Sequence, residues 1–265
     1  MSCLILCADD FALSRGTSEV IAELAGTGRV NAISCMTASA DWTKCARLLQ
    51  ALPMSVAVGI HLVLTSDPGL VTAVDRAMSD ASTIDTLSWK AVCGRLQIEV
   101  ITRAVEHQFR AFFEALSRPP AFVDGHQHCH LLPGVRKIVL SATARHAPAA
   151  WIRNCADRPY AMMQRPFATK AFASAAWSFG MRRDAARYLL TTNDSFAGHY
   201  DFGDDFAELL PTFLRKPGSR HLVMCHPGSD DCQSDPIGPA RAREAEILSS
   251  ISVANFAQAA ALDFG

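Results

Sequence analysis

The 265 residues are 49% hydrophobic and 19% charged, with a formal net charge of −1; this suits one large domain such as an α/β barrel, or two small ones, and the lack of a basic run or of basic-aromatic interleaving excludes a nucleic-acid partner. No apolar stretch is long enough to span a membrane, and the N-terminus lacks the basic-then-apolar pattern of a signal peptide, so neither is expected. Nine scattered cysteines, an odd number without a C-x-x-C pair, fit reduced thiols in a cytoplasmic protein.

The first element predicted is a buried strand. Leu4 to Ala8 is a short apolar run, and it ends in two adjacent carboxylates, Asp9 and Asp10. In parallel α/β proteins the C-terminal ends of strands carry the active site. Successive strand residues point to opposite faces, so the two Asp need not share one job. An N-cap on the next helix is the plainer alternative for either. That helix starts at Ser14, carries Val20, Ile21, Leu24 and Ala25 at helical spacing, and closes at Gly26 and Gly28. Ala32 to Met36 is the second strand. Asp41 opens a helix with Trp42, Cys45, Leu48 and Leu49 on one face, stopped by Pro53. Val56 to Leu64 is the third strand, with His61 inside it. Periodicity then fails from Thr65 to Asp85, the length of a loop that covers a site. One long helix follows, with Leu96, Val100, Val105, Phe109 and Phe112 on its buried face.

Ala121 to Asp124 is the fourth strand, running into Gly125-His126-Gln127-His128-Cys129-His130. A helix after Pro133 leads to a fifth strand at Trp151-Ile152-Arg153. Residues 160–187 read as weakly ordered helix. Tyr188 to Thr191 is a sixth strand ending at Asn193-Asp194. A helix from Asp204 to Leu214 precedes the seventh strand, His221 to Cys225, which ends at His226-Pro227-Gly228. A last helix holds Ile247, Leu248 and Ile251. About seven parallel strands alternating with helices predict a single α/β domain over residues 1–265, a distorted (β/α) TIM-like barrel.

Polar groups at five strand ends or interiors then converge on one mouth. An Asp with two His is a ligand set for a catalytic divalent ion with positions left open for water. Period two in an extended chain puts His126, His128 and His130 on one face. Each signal has a plainer alternative: a satisfied core histidine for His61, a solvated run for His126–His130, and turn residues for His226 and for Asn193-Asp194.

Ala8-Asp9-Asp10-Phe11, Gly59-Ile60-His61-Leu62, Asp124-Gly125-His126-Gln127-His128-Cys129-His130 and His226-Pro227-Gly228 together carry a resemblance. In order and rough position they are similar to the YdjC-like carbohydrate deacetylases, which include the ChbG chito-oligosaccharide deacetylases and the HpnK proteins linked to hopanoid biosynthesis. The similarity runs from residue 4 to about residue 230. The resemblance implies hydrolysis of an N-acetyl group on a sugar, with one divalent ion, magnesium first and zinc as the alternative, and a homodimer. By position it implies Asp10, His61 and His126 as the metal ligands, Asp9 as the general base and His226 as the acid that protonates the departing amine. Arg153, Asp194 and His128 are implied near the substrate. The chain departs from the family pattern at Ala12, where Gly is usual, and at Gln127 and Cys129. The 65–85 loop is a candidate lid. The competing reading is a metal-dependent phosphoesterase or cyclic amidohydrolase on the same scaffold, with Asp124, His128 and His130 supplying a second ion site.

Overall fold

The structure is a computed structural model describing residues 2–65, 83–231 and 235–264. Strand β1 (Cys3–Phe11) is buried from Leu6 onward and gives way to helix α1 (Arg15–Gly26), where the Thr17 N–H donates to the Ser14 hydroxyl at 3.0 Å as the predicted N-cap. Strand β2 (Ala32–Cys35), helix α2 (Trp42–Cys45) with its 3-10 continuation to Ala51, and strand β3 (Ala57–Leu62) follow. The single long helix expected next is two, α3 (Ile84–Val92) and α4 (Ile98–Leu116). Gly94, at φ +65°, takes the left-handed conformation that ends a helix. Residues 66–82, most of the candidate lid, lie outside the described residues.

Strand β4 (Phe122–Gly125), helix α5 (Val135–His146) and strand β5 (Trp151–Ile152) come next. The weakly patterned stretch resolves into α6 (Pro159–Met163), α7 (Ala168–Trp177) and α8 (Met181–Arg187). Strand β6 is only Thr191–Thr192, and β7 (Ser195–Ala197) follows Asn193-Asp194 where no strand is expected. The chain continues through α9 (Phe206–Phe213), β8 (Arg220–Cys225), α10 (Gly238–Ser250) and α11 (Val253–Ala259). Eight strands are thus present among the described residues, one more than expected. No helix among them is long and apolar enough to cross a membrane.

All strand pairs are parallel, in the order β6-β5-β4-β3-β2-β1-β8-β7. The two edge strands, β6 and β7, are neighbours in sequence. Three Cα–Cα steps from Thr192 to Ser195 reach at most about 11 Å. The sheet must therefore curl until its edges nearly meet, which makes a barrel with one unpaired seam. Asn193 bridges that seam. Its side-chain oxygen accepts the Asn154 N–H at 2.7 Å, and its amide donates to the carbonyls of Asn154 (2.8 Å) and Ser195 (2.9 Å). Inside, Leu6, Ile33, Ile60, Phe122, Val123 and Ile152 are fully buried, each side chain stabilising the fold by roughly 1.5–3 kcal/mol. The C-terminal ends of β1, β3, β4 and β8 open on one side.

Replacing Asn193 by Ala strands the buried N–H and C=O of Asn154. Urea unfolding is expected to show a loss of about 2–4 kcal/mol; a loss near zero would mean the seam holds without this amide.

Candidate active site

The site starts from an irregularity in β1. The register to β2 shifts between Ala8 and Phe11, and Asp10 and Ala12 adopt φ of +65° and +72°. This bulge breaks the alternation of faces. Asp9 and Asp10 therefore both line the same cavity instead of pointing apart. Ala12 occupies a left-handed position, the conformation for which Gly is favoured.

Asp10 sits between two imidazoles. His61 Nε2 and His126 Nδ1 each lie 3.2 Å from its Oδ1, while Arg241 donates to Oδ2 at 2.7 Å. Behind His61, Asp124 Oδ1 takes its Nδ1 at 2.7 Å and the Ser34 hydroxyl at 2.5 Å. Fixing one imidazole nitrogen through a carboxylate leaves the other free for an ion, an arrangement typical of metal-binding histidines. Ligand atoms of Asp10, His61 and His126 all lie within 4.8 Å of one another. Four carboxylates here, Asp9, Asp10, Asp124 and Asp235, face two guanidiniums, Arg153 and Arg241. The formal excess of two negative charges matches one divalent cation. Burial alone would lower the pKa of His61, but Asp124, Asp10 and Asp9 raise it to about 10. The field that keeps a proton there is the field that attracts a metal ion. The donor set and its charge therefore fit a single divalent ion.

Below this level lies Arg153, fully buried. Its fork donates to both oxygens of Asp9 at 2.6 Å and reaches Asp124 Oδ2 at 2.5 Å. Burial would raise the Asp9 carboxyl, yet Arg153 holds it well below the usual carboxylate range. Burial opposes ionisation of Asp10 too, and Arg241, His126 and His61 overcome it. A second cluster of possible ligands, Cys7, Asp9 and Asp124, surrounds the Arg153 guanidinium, which also donates to the Cys7 sulfur at 3.2 Å. The expected second ion site from Asp124, His128 and His130 does not form. His130 turns inward and bonds the Arg153 carbonyl at 3.0 Å.

The histidine run is not extended. Residues His126–Leu131 form a 3-10 turn in which Gln127 and His128 are left-handed, so the three rings diverge. His126 goes to Asp10. His128 lines the cavity next to His199, with ring centroids 6.1 Å apart, and burial with His199 and Arg153 nearby keeps its pKa well below the ordinary value. His226 lines the cavity from the end of β8, and burial lowers its pKa to about 4. Its backbone N–H donates to Glu244 Oε2 at 2.5 Å, and Glu244 Oε1 accepts the Tyr200 hydroxyl. Burial pushes the Glu244 carboxyl up to about 7.

Six of the eight predicted site residues, Asp9, Asp10, His61, His126, His128 and His226, thus line one cavity of about 680 Å³, within the usual range of small-molecule sites. Two do not. Arg153 stands under the cavity as the partner of Asp9, out of a substrate's reach. Asp194 lies at the opposite end of the barrel, where its carboxylate accepts the N–H groups of Ser219 and Arg220, both at 2.8 Å, at the start of β8. Arg241, Glu244, Tyr200, His199 and Ser34 were not anticipated. The last helix is predicted only from Ile247, Leu248 and Ile251; the charged residues of α10 fall on every side, and its buried side carries Arg241 and Glu244 themselves.

The family profile described as YdjC-like protein matches residues 3–259. A chitooligosaccharide deacetylase of Yersinia pestis (strain Pestoides F) is 32% identical over 228 residues, covering 86% of this chain and 82% of its own. Another, of Serratia marcescens, is 30% identical over 171 residues, covering 64% and 67%. Among solved structures, a candidate cellobiose-phosphate cleavage protein of Enterococcus faecalis V583 superposes with a TM-score of 0.73 over 98% of this chain and 95% of that one. At 18% identity this is a likeness of fold.

Calorimetric titration with zinc or cobalt tests the ligand set. Asp10→Asn is expected to weaken binding at least about 100-fold, and Asp124→Asn, which acts through His61, by about 10–100-fold. Unchanged affinity in Asp10→Asn would move the ion elsewhere.

Proposed function

This chain belongs to the YdjC-like family, and we propose that it is a carbohydrate N-deacetylase that removes acetate from a chito-oligosaccharide or a related glycan or glycolipid containing N-acetylglucosamine. The observation that carries the reading is the placement of Asp9, with its Arg153 partner, and His226 on one cavity around Asp10, His61 and His126. The names of the relatives supply the substrate class.

Asp10, His61 and His126 would hold one divalent ion. Magnesium is the first candidate from the family resemblance, and zinc is the one that two imidazoles and a carboxylate suit. What such an ion supplies when bound is Lewis acidity toward the acetyl carbonyl and the attacking water.

The protein's own groups move the protons. Asp9 takes the proton of the attacking water as its oxygen bonds to the acetyl carbon. Two guanidinium bonds leave each carboxylate oxygen a further lone pair for that role, and they keep the group ionised. His226 is neutral at rest. Negative charge that builds on the substrate raises its proton affinity, so it takes up a proton from solvent before the C–N bond breaks and gives it to the departing nitrogen. Acetate and a free amine leave, and the proton on Asp9 returns to solvent.

In the same proposal, residues 1–265 form one domain of a homodimer located in the cytoplasm. The cysteines of the described residues are all unpaired, in keeping with a reducing compartment. A two-ion phosphoesterase is disfavoured because the Arg153 guanidinium fills the space its second ion would need.

Acetate release from N,N′-diacetylchitobiose is the direct test. Activity is expected to vanish with a chelator and to return with one of magnesium, zinc, cobalt or manganese. Asp9→Asn should lower kcat by roughly 10²–10⁴-fold with the ion still bound. No acetate from any acetylated sugar, with one ion bound per chain, would reject the deacetylase.

A further inference from the structure

Helix α10 carries two buried charged residues one turn apart, Arg241 and Glu244. Arg241 serves Asp10. Glu244 makes no ion pair among the described residues, and it is 0% exposed. A carboxylate taken out of water without a cation is costly unless its hydrogen bonds compensate. Its two oxygens go to different walls of the cavity: Oε2 to the His226 N–H at 2.5 Å, and Oε1 to the Tyr200 hydroxyl.

The imidazole of His226 is otherwise weakly held. Its Nδ1 is buried with no hydrogen-bond partner among the described residues. The ring leans edge-on against Phe202, with centroids 5.3 Å apart, and Phe202 in turn packs on Tyr200 at 4.7 Å. Glu244 therefore fixes both the backbone that carries the imidazole and the aromatic pair on which the imidazole rests. Tyr200 reaches this point because Gly198, at φ +110° and with the Met224 backbone where a Cβ would stand, lets the chain turn sharply out of β7.

We propose that Glu244 is a positioning residue that sets the imidazole of His226 against the Tyr200–Phe202 wall, so that its proton meets the departing amine. This rests on the assignment of His226 as the proton donor. Gln in its place keeps both contacts, with its oxygen on the His226 N–H and its amide donating to the Tyr200 oxygen. Ala keeps neither.

The test compares Glu244→Ala, Glu244→Gln, Tyr200→Phe, His226→Ala and the double variant Glu244→Ala/His226→Ala. On an acetylated chito-oligosaccharide, Glu244→Ala is expected to lose at least roughly 30-fold in kcat with KM changed less than about threefold, while Glu244→Gln keeps most of the rate. Tyr200→Phe should fall between them. The double variant should lose no more than His226→Ala alone, since residues acting as one unit are not additive. A further loss of more than about fivefold in the double variant would overturn the proposal and leave the deacetylase reading standing. A His226→Ala protein with full activity would overturn the donor assignment itself. The ring nitrogen NMR signals of His226 read the same contact without turnover. They should shift or broaden in Glu244→Ala, or in Tyr200→Phe if the alanine variant does not fold, and stay in place in Glu244→Gln. Unchanged signals in both of the disruptive variants would overturn the proposal whatever the substrate.

Discussion

One guanidinium lies at the centre of this molecule. Arg153 joins Asp9 of β1 to Asp124 of β4 from the end of β5, with no exposure to water. Strand β5 has two residues and β6 two, so the ladder on that side of the barrel is short. An ion cluster spanning three strands supplies a register that so few backbone bonds cannot. A buried pair of this kind is weak evidence for stability, because desolvation opposes its Coulomb gain. Its value lies in geometry. It keeps Asp9 ionised and oriented, and it closes the space in which a second cation would otherwise sit.

The remaining charge is arranged to leave a hole of defined sign. Arg241 takes one oxygen of Asp10 and turns the other toward His61 and His126. Asp124 and Ser34 hold the far side of His61. The three groups that meet at Oδ1 thus come from β1, β3 and the turn after β4, with Asp10 braced from α10 and His61 from β2 and β4. A catalytic constellation needs its supporting residues locked as firmly as its reacting ones, and here much of that support comes from the single helix α10.

Much of this was legible in the chain. Apolar runs ending in Asp9-Asp10, in His226 and around His61 mark strand ends, and alternation with helices gave a parallel barrel. What could not be read were departures from regular periods. The bulge in β1 defeats the two-residue alternation, so Asp9 and Asp10 share a face. Left-handed Gln127 and His128 curl a run that reads as extended. Strand β7 is three residues between Asn193-Asp194 and Gly198, and turn chemistry on both sides hides it. Arg153 and Asp194 were placed near a substrate by position along the chain, which is blind to depth in the barrel. One of them proves to be under the cavity and the other at the far rim. Glu244 and Arg241 were hidden for the opposite reason, since charges on a helix ordinarily face water.

The order in which the strands pair bears on how the protein is made. Strand β1 leaves the ribosome before β2 to β8, yet Cys3 to Ala8 pair with Arg220 to Cys225, and Asp10 meets its guanidinium only at residue 241. A nascent chain can assemble β1 to β4 early, but it holds Asp9 and Asp10 without their full set of cations until α10 has been translated. Contacts of such long sequence separation form late. The guanidinium that completes the Asp10 cluster therefore arrives only with α10, and a translation product interrupted before that helix holds Asp10 without it.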